Sequence, residues 1–219
     1  MPGQFDEARD RLAAARLYVI SADDLPSRQA AVLCAAIDGG AGIVQLRNKS
    51  AAASELLDAA RVVAAHARAH AAVFVVNDLP ELVEASRADG VHVGQDGGSL
   101  VEVRSRLPRG ALLGRSTHSL AQARTAASDG ADYIGVGPIH ATPTKPGRMP
   151  VGVGLVREVA PLLQVAWFAI GGIDLTNLAE VLEAGATRVA VVRAVARAVD
   201  PRLAAAALVA MVREPVVST

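Results

Sequence analysis

Cysteine is almost missing from the chain: Cys34 is the single one among 219 residues. One thiol cannot make an intrachain disulfide framework or a multi-cysteine metal centre. Its setting, AAVLCAAI, is that of a buried helix residue. Aromatic residues are scarce too, at 3%. The core must therefore be assembled from Ala, Val and Leu, in the many small contacts that layers of helix on strand provide. An excess of one charge is also absent. The 22 basic and 22 acidic residues cancel, with no long run of either sign. That balance argues against a nucleic-acid or anionic-membrane surface. No segment reaches the roughly 18 uninterrupted apolar residues of a membrane-spanning helix. The opening MPGQFDEARDRLAAAR lacks the apolar centre of a signal peptide. The expectation is a soluble cytoplasmic protein, with neither nucleic acid nor membrane as partner, in which local charge carries the functional signal.

What the chain does have is apolar residues, 52% of it, enough to bury a full core. Short β-branched runs recur at 17–21, 43–47, 73–77, 90–94, 112–117, 133–137, 166–170 and 188–192. Between them lie Ala-rich amphipathic stretches of helical period, such as ASELLDAARVVAAHARAHA and TNLAEVLEAGA. Strand alternating with helix means parallel strands joined by right-handed crossovers. Eight such units within this length are the arithmetic of a (β/α)8 TIM barrel, an α/β fold in a single domain. An open doubly wound sheet is the main alternative. The strand count and the lack of an early Gly-rich phosphate fingerprint weigh against it. Residues 1–16 read as a short N-terminal extension and 214–219 as a loose tail. DGGAGIVQLR, ADGVHVGQ, DGADYIGVG and EAGATRVAVV each place Gly or Ala before a strand, as tight helix-to-strand turns with a left-handed glycine cap do.

Barrel enzymes carry their chemistry at the C-terminal ends of the strands. Strand 2 ends VQLRNKS, and alternation puts Gln45, Arg47 and Lys49 on one side, facing either a ligand or solvent in a surface loop. Strand 3 ends in Asn77 and Asp78, a helix N-cap or a site pair. Strand 4 holds His92, read as a satisfied interior histidine, and ends with Gln95 and Asp96. Strand 5 ends with Arg115, Ser116, Thr117 and His118, with Ser119 as a cap for the next helix. Strand 6 runs into HATPTKPGR, which combines hydroxyls, prolines and the cations Lys145 and Arg148. Strand 7 ends in a Gly pair, Gly171 and Gly172, which lets the backbone approach an anion closely. Strand 8 leads directly to Val192 and Arg193, the latter facing a phosphate or pairing with a rim carboxylate. Arg47, Lys49, Arg115, Lys145, Arg148 and Arg193 thus all follow strand ends in a chain of zero net charge. With Asp78 and Asp96 nearby, they suit two anionic groups and a hard divalent cation, since Mg2+ takes one or two carboxylates plus phosphate oxygens. The chemistry implied is transfer or rearrangement of a phosphorylated small molecule.

The set VQLRNKS, VVNDLPEL, ADGVHVGQD, GRSTH, ADYIGVGPIHATPTKPGR, AIGGI and AGATRVAVVRAV resembles the thiamine-phosphate synthase family, in order and spacing, from about Leu17 to Val199. The resemblance implies a Mg2+-dependent transferase. It would condense 4-amino-2-methyl-5-hydroxymethylpyrimidine diphosphate with hydroxyethylthiazole phosphate to give thiamine phosphate and diphosphate. It also implies that Gln45, Arg47, Lys49, Asn77 and Lys145 hold the diphosphate, and that Asp78 and Asp96 bind the metal. Ser116 would lie near the reacting groups. Thr142, Thr144, Gly172, Val192 and Arg193 would receive the thiazole phosphate. Lys145, Ser116 and Arg47 are the catalytic candidates. The sequence departs from the family where GQxD is usual: it reads GQDGG, so Asp96 stands one residue early and Gly97 takes the expected position. The other functions considered are a thiazole tautomerase of the same barrel group, with His118 or His92 as acid–base residue, and a non-catalytic phosphate-binding regulator.

Overall fold

The structure, a computed structural model, describes residues 4–143, 147 and 149–213. Eight parallel strands pair in sequence order and close on themselves: β1 (Leu17–Ile20), β2 (Ile43–Leu46), β3 (Val73–Asn77), β4 (Gly90–Val93), β5 (Leu112–Thr117), β6 (Tyr133–Val136), β7 (Ala166–Ile170) and β8 (Val189–Val191). Each expected strand is present, with ends differing by at most one residue. Ten helices occur among the described residues: α1 (Gln4–Ala14), α2 (Pro26–Asp38), α3 (Ala53–Ala69), α4 (Leu82–Ser86), α5 (Leu100–Ser105), α6 (Leu120–Ser128), α7 (Gly152–Val159), α8 (Leu178–Glu183), α9 (Arg193–Ala196) and α10 (Pro201–Arg213). The expected glycine caps follow α2, α6 and α8, where Gly40, Gly130 and Gly185 have positive φ. The ADG turn differs. Gly90 already belongs to β4, and Arg87 takes the left-handed position after α4, with φ 61°.

Two apolar clusters follow from strand alternation. The larger fills the space between strands and helices, with Leu33, Ala60, Val63, Phe74, Ile134 and Val156 among its fully buried members. The smaller lies inside the barrel and contains Tyr18, Ile43, Val73, Val75, Leu112, Tyr133 and Phe168. Aromatics are rare in the chain, yet both tyrosines stand here. Their hydroxyls lie 3.3 Å apart, and the Gln45 amide donates to the Tyr18 oxygen at 2.7 Å. Phe168 meets Tyr18 edge-on, ring centres 5.3 Å apart. Such pairs contribute about 0.5–1.5 kcal/mol beyond area burial. Desolvation raises the pKa of both tyrosines, so both stay neutral. Gly114 makes room for this layer, because a Cβ there would sit 2.2 Å from the Tyr133 ring.

Residues 4–14, within the segment read as an extension, form α1 beneath the barrel. Its Ala8 and Leu12 join the interior cluster. Arg9 donates to the Gly110 carbonyl at 3.0 Å and pairs with Asp132 at 3.2 Å. Arg11 pairs with the nearly buried Asp89 at 2.8 Å, and Asp89 also accepts the Phe74 backbone N–H. Cys34 lies on α2 but is only partly buried; desolvation, then the charge of Asp38, raises its thiol pKa. No helix among the described residues is long and apolar enough to cross a membrane.

Candidate active site

The C-terminal ends of the strands form the mouth of the barrel. Over β2 a network of short polar side chains fixes the backbone. The Ser21 hydroxyl accepts the Arg47 N–H at 2.9 Å and donates to the Arg47 carbonyl at 3.0 Å. The Gln29 amide donates to that same carbonyl at 2.7 Å. Arg47 is therefore held, not solvated: it is 7% exposed, and its guanidinium lies 3.4 Å from Asp23. The surface-loop alternative fails for this residue. Asp23 also accepts the backbone N–H of Lys49, whose side chain is exposed. Gln45 lies lower, buried in the barrel against Tyr18. Ser21 and Gln29 were not singled out in the sequence; a glutamine on the buried face of α2 is the signal that would have found this support.

Asn77 and Asp78 do not cap a helix. Pro80 delays α4 to Leu82, and its N-cap is Glu81, without a side-chain cap. Asp78 adopts φ 58°, a left-handed conformation that Asp tolerates better than most residues. This turns its carboxylate over the end of β4. One oxygen accepts the Gly94 N–H at 3.2 Å and the other the Asn77 amide at 2.7 Å. Asp96 is exposed in the adjoining turn, which Gly97 closes by donating to the Gly94 carbonyl. The two carboxylates thus ride on touching loops. Arg115 is removed from the anion-facing set: its guanidinium donates to the carbonyls of Gly98 at 2.9 Å and Gln95 at 3.3 Å, bracing that turn from below.

Over β5–β8 the mouth opens into a cavity of about 350 Å3. Ser116, His118, Thr142, Ile170, Gly172, Val192 and Arg193 are among its lining residues. Ser116 Oγ shares a 2.9 Å hydrogen bond with His92 Nε2, so the interior histidine supports the serine. His118 Nδ1 is hydrogen-bonded to the Gly137 carbonyl, and Ser119 caps α6 as expected. The glycine pair is required by its neighbours. Gly172 has φ 65°, and a Cβ there would lie 2.7 Å from the Ala141 carbonyl oxygen. The Asn177 amide donates to the Gly172 carbonyl at 2.8 Å and fixes the loop. The sequence reading passed over Asn177. Asp174, also on the cavity wall, has its pKa lowered by hydrogen bonds from the Thr176 hydroxyl and N–H. Val192 is the N-cap of α9 and lends it no side-chain cap, so the start of this short helix faces the cavity through backbone. Arg193 is exposed and makes no ion pair among the described residues, so the rim-carboxylate alternative is not what the structure has. Thr144, Lys145 and Arg148 lie outside the described residues.

Residues 17–195 match the family described as thiamine monophosphate synthase. A thiamine-phosphate synthase of Gloeobacter violaceus is 46% identical over 195 residues, covering 89% of this chain and 57% of that protein. One from Streptomyces avermitilis is 48% identical over 205 residues, covering 91% of this chain and 94% of that one. The chain thus spans little more than half of the first relative and nearly all of the second. The solved thiamine phosphate pyrophosphorylase from Pyrococcus furiosus aligns with a TM-score of 0.82 at 31% identity, over 93% of this chain and 96% of that chain. A closed barrel with this division of its mouth, matched along most of its length, belongs to the thiamine monophosphate synthase family.

Proposed function

We propose that the protein is a thiamine-phosphate synthase, joining 4-amino-2-methyl-5-hydroxymethylpyrimidine diphosphate to hydroxyethylthiazole phosphate. The observation that carries this reading is the division of one barrel mouth into two unlike receptors. The cavity over β5–β8 has the volume of a small-ligand pocket. Gly172, Val192 and Arg193 on its wall suit a phosphate. The rim over β2–β4 carries Arg47, Lys49 and Asn77, which suit a diphosphate. Lys145, which follows β6 in the sequence, would supply a further charge.

In the reaction the bond from the pyrimidine methylene carbon to the diphosphate oxygen breaks, and the electron pair leaves with diphosphate. The amino-pyrimidine ring donates electrons to the carbon, so departure precedes attack. The thiazole nitrogen then forms the new bond to that carbon. No protein nucleophile takes part. The chain orients two flat heterocycles, which supplies roughly 7–11 kcal/mol in favourable cases. Arg47, Lys49 and Lys145 meet the charge developing on the leaving group, adding a few kcal/mol per good contact. Ser116, supported by His92 on the wall of the cavity, orients the reacting groups.

Asp78 and Asp96 fit Mg2+ by their chemistry. They are hard oxygen donors on adjoining loops, Asp78 is tied to the start of the Asp96 turn through Gly94, and the cation's other positions suit water and phosphate oxygens. When bound, Mg2+ would neutralise charge on the departing diphosphate. The test is formation of thiamine phosphate from both precursors with Mg2+ titrated. Lys145→Ala should lower kcat by about 100-fold or more, and Asp78→Ala should raise the Mg2+ concentration needed for half-maximal rate. Absence of product at every Mg2+ concentration would overturn the reading.

A further inference from the structure

At the opposite end of the barrel, where α2 and α3 terminate, stands a group the synthase reaction does not use. Asp38 is the last residue of α2, His66 lies in the last turn of α3, and His70 is its C-cap. We propose that Asp38, His66 and His70 form a binding site for a divalent transition metal of zinc-like softness.

The donor atoms of the three side chains all lie within 4.8 Å of one another. His66 Nε2 is 2.7 Å from Asp38 Oδ1, and His70 Nε2 is 3.7 Å from the same oxygen. Donors about 2.1 Å from a tetrahedral ion stand roughly 3.4 Å apart, a spacing these two distances bracket. The histidines are one helical turn apart, and their rings stack with centres 4.2 Å apart and planes 27° from parallel. Both Nε2 atoms therefore point the same way, toward Asp38.

The tautomer of His70 is set for ligation. Its Nδ1 lies 2.9 Å from the His66 carbonyl oxygen, an acceptor only, so in the neutral ring Nδ1 carries the proton and Nε2 offers its lone pair. A backbone carbonyl behind a ligating histidine is the usual way a protein orients such a ring. The local field also favours a cation. Asp38 sits at the negative end of α2, which has no basic residue in its last turn. The C-terminus of α3 brings a second negative helix end to the same place, with Arg68 of its last turn donating to the Arg87 carbonyl. A bound cation offsets all three.

The donor set decides the kind of metal. Two imidazoles and one carboxylate suit Zn2+, and by the general affinity order also Co2+, Ni2+ and Cu2+. They do not suit Mg2+, which requires oxygen donors. This site is therefore chemically distinct from the Asp78–Asp96 pair and independent of the synthase proposal. With the ion bound, water would complete the coordination. The consequence is a clip between α2 and α3 on the face remote from the active site.

The experiment is calorimetric titration of chelator-treated protein with Zn2+, and with Mg2+ as the contrasting ion, reading bound metal and the shift in Tm. One equivalent of Zn2+ should bind and raise Tm, with no response to Mg2+ at this site. His70→Ala and His66→Ala should each weaken Zn2+ binding by at least roughly tenfold. Thiamine phosphate formation should stay unchanged in His70→Ala. His66→Ala also loses the contact to Asp38 and is the more exposed to folding defects, so the exposed His70 is the deciding variant. Zn2+ binding that is undiminished in His70→Ala, or absent from the parent protein, would overturn the site.

Discussion

Over β2–β4 the mouth of the barrel is built from side chains, and over β5–β8 it is built from backbone. On the first side, Arg47 is held by Asp23, Ser21 and Gln29, Asp78 is aimed by Asn77 and Gly94, and Arg115 braces the turn that carries Asp96. On the second, the walls are glycine, the Val192 N-cap and a loop pinned by Asn177. The first half suits a flexible, highly charged diphosphate, which needs mobile cations and a metal. The second suits a compact monoester, which fixed N–H dipoles can hold with Arg193 as the one long cationic side chain named on that wall. The two halves should therefore fail in different ways.

The effect that separates the two halves most clearly is expected at Gly172. Alanine there must adopt φ near 65° and approach the Ala141 carbonyl at 2.7 Å. Left-handed strain alone costs about 1–2 kcal/mol, and the close contact forces the loop to move. Gly172→Ala should raise KM for the thiazole phosphate by roughly tenfold or more, leaving KM for the pyrimidine diphosphate within about twofold. Equal changes in both would abolish the distinction between halves. Arg47→Gln should act the other way. Loss of a charge-assisted contact of about 1.5–3 kcal/mol lowers kcat/KM for the diphosphate partner by roughly ten- to a hundredfold. Fold stability should change by less than about 1 kcal/mol, since Asp23 is half exposed. A large fall in Tm with normal kinetics would make Arg47 a structural residue.

The smallest effect concerns Asp174. Its carboxyl pKa is depressed below the ordinary 3.8 chiefly by Thr176. A carboxylate whose folded pKa is lowered adds stability that is present above the unfolded value and lost as pH falls through the folded one. Thr176→Val should move the Asp174 titration back up toward 3.8, observable by NMR, and weaken the dependence of stability on pH at the acid end. An unmoved titration would show that the Thr176 hydroxyl does not set it, leaving the Thr176 and Asn177 backbone N–H groups and the charge of His140.

The same contrast explains what could be read from residues alone. The strands were legible because each is an apolar run bounded by helical period, and burial on both faces allows little else. The side-chain half was legible by residue type, since Arg47, Asp78 and Asp96 stand out at strand ends. Their partners were not. Nothing local says that Arg115 spends its donors on the carbonyls of Gln95 and Gly98, because that pairing joins two strands through a turn. Asn77 and Asp78 looked as much like a helix cap as a site, and Pro80 shifted the helix away from them. In the backbone half Ser116, Thr142, the glycines and Arg193 stood out by residue type, but the close approach that excludes a Cβ at Gly172 comes from Ala141 and His140, on a loop about thirty residues earlier. Asn177 acts on a carbonyl, which composition does not record.

The helix beneath the barrel bears on the order of assembly. Arg9 and Arg11 of α1 find their partners at Asp89, Gly110 and Asp132, up to 123 positions later in the chain. The interior cluster that Ala8 and Leu12 enter draws on strands as late as β6 and β7, through Tyr133 and Phe168. The full contact set of the segment before β1 therefore requires chain as far as Asp132 to be in place. Contacts of such long sequence separation slow folding, because loop closure precedes any gain from burial. In the folded protein α1 is the stopper of the lower end of the barrel, covering apolar interior that solvent would otherwise reach.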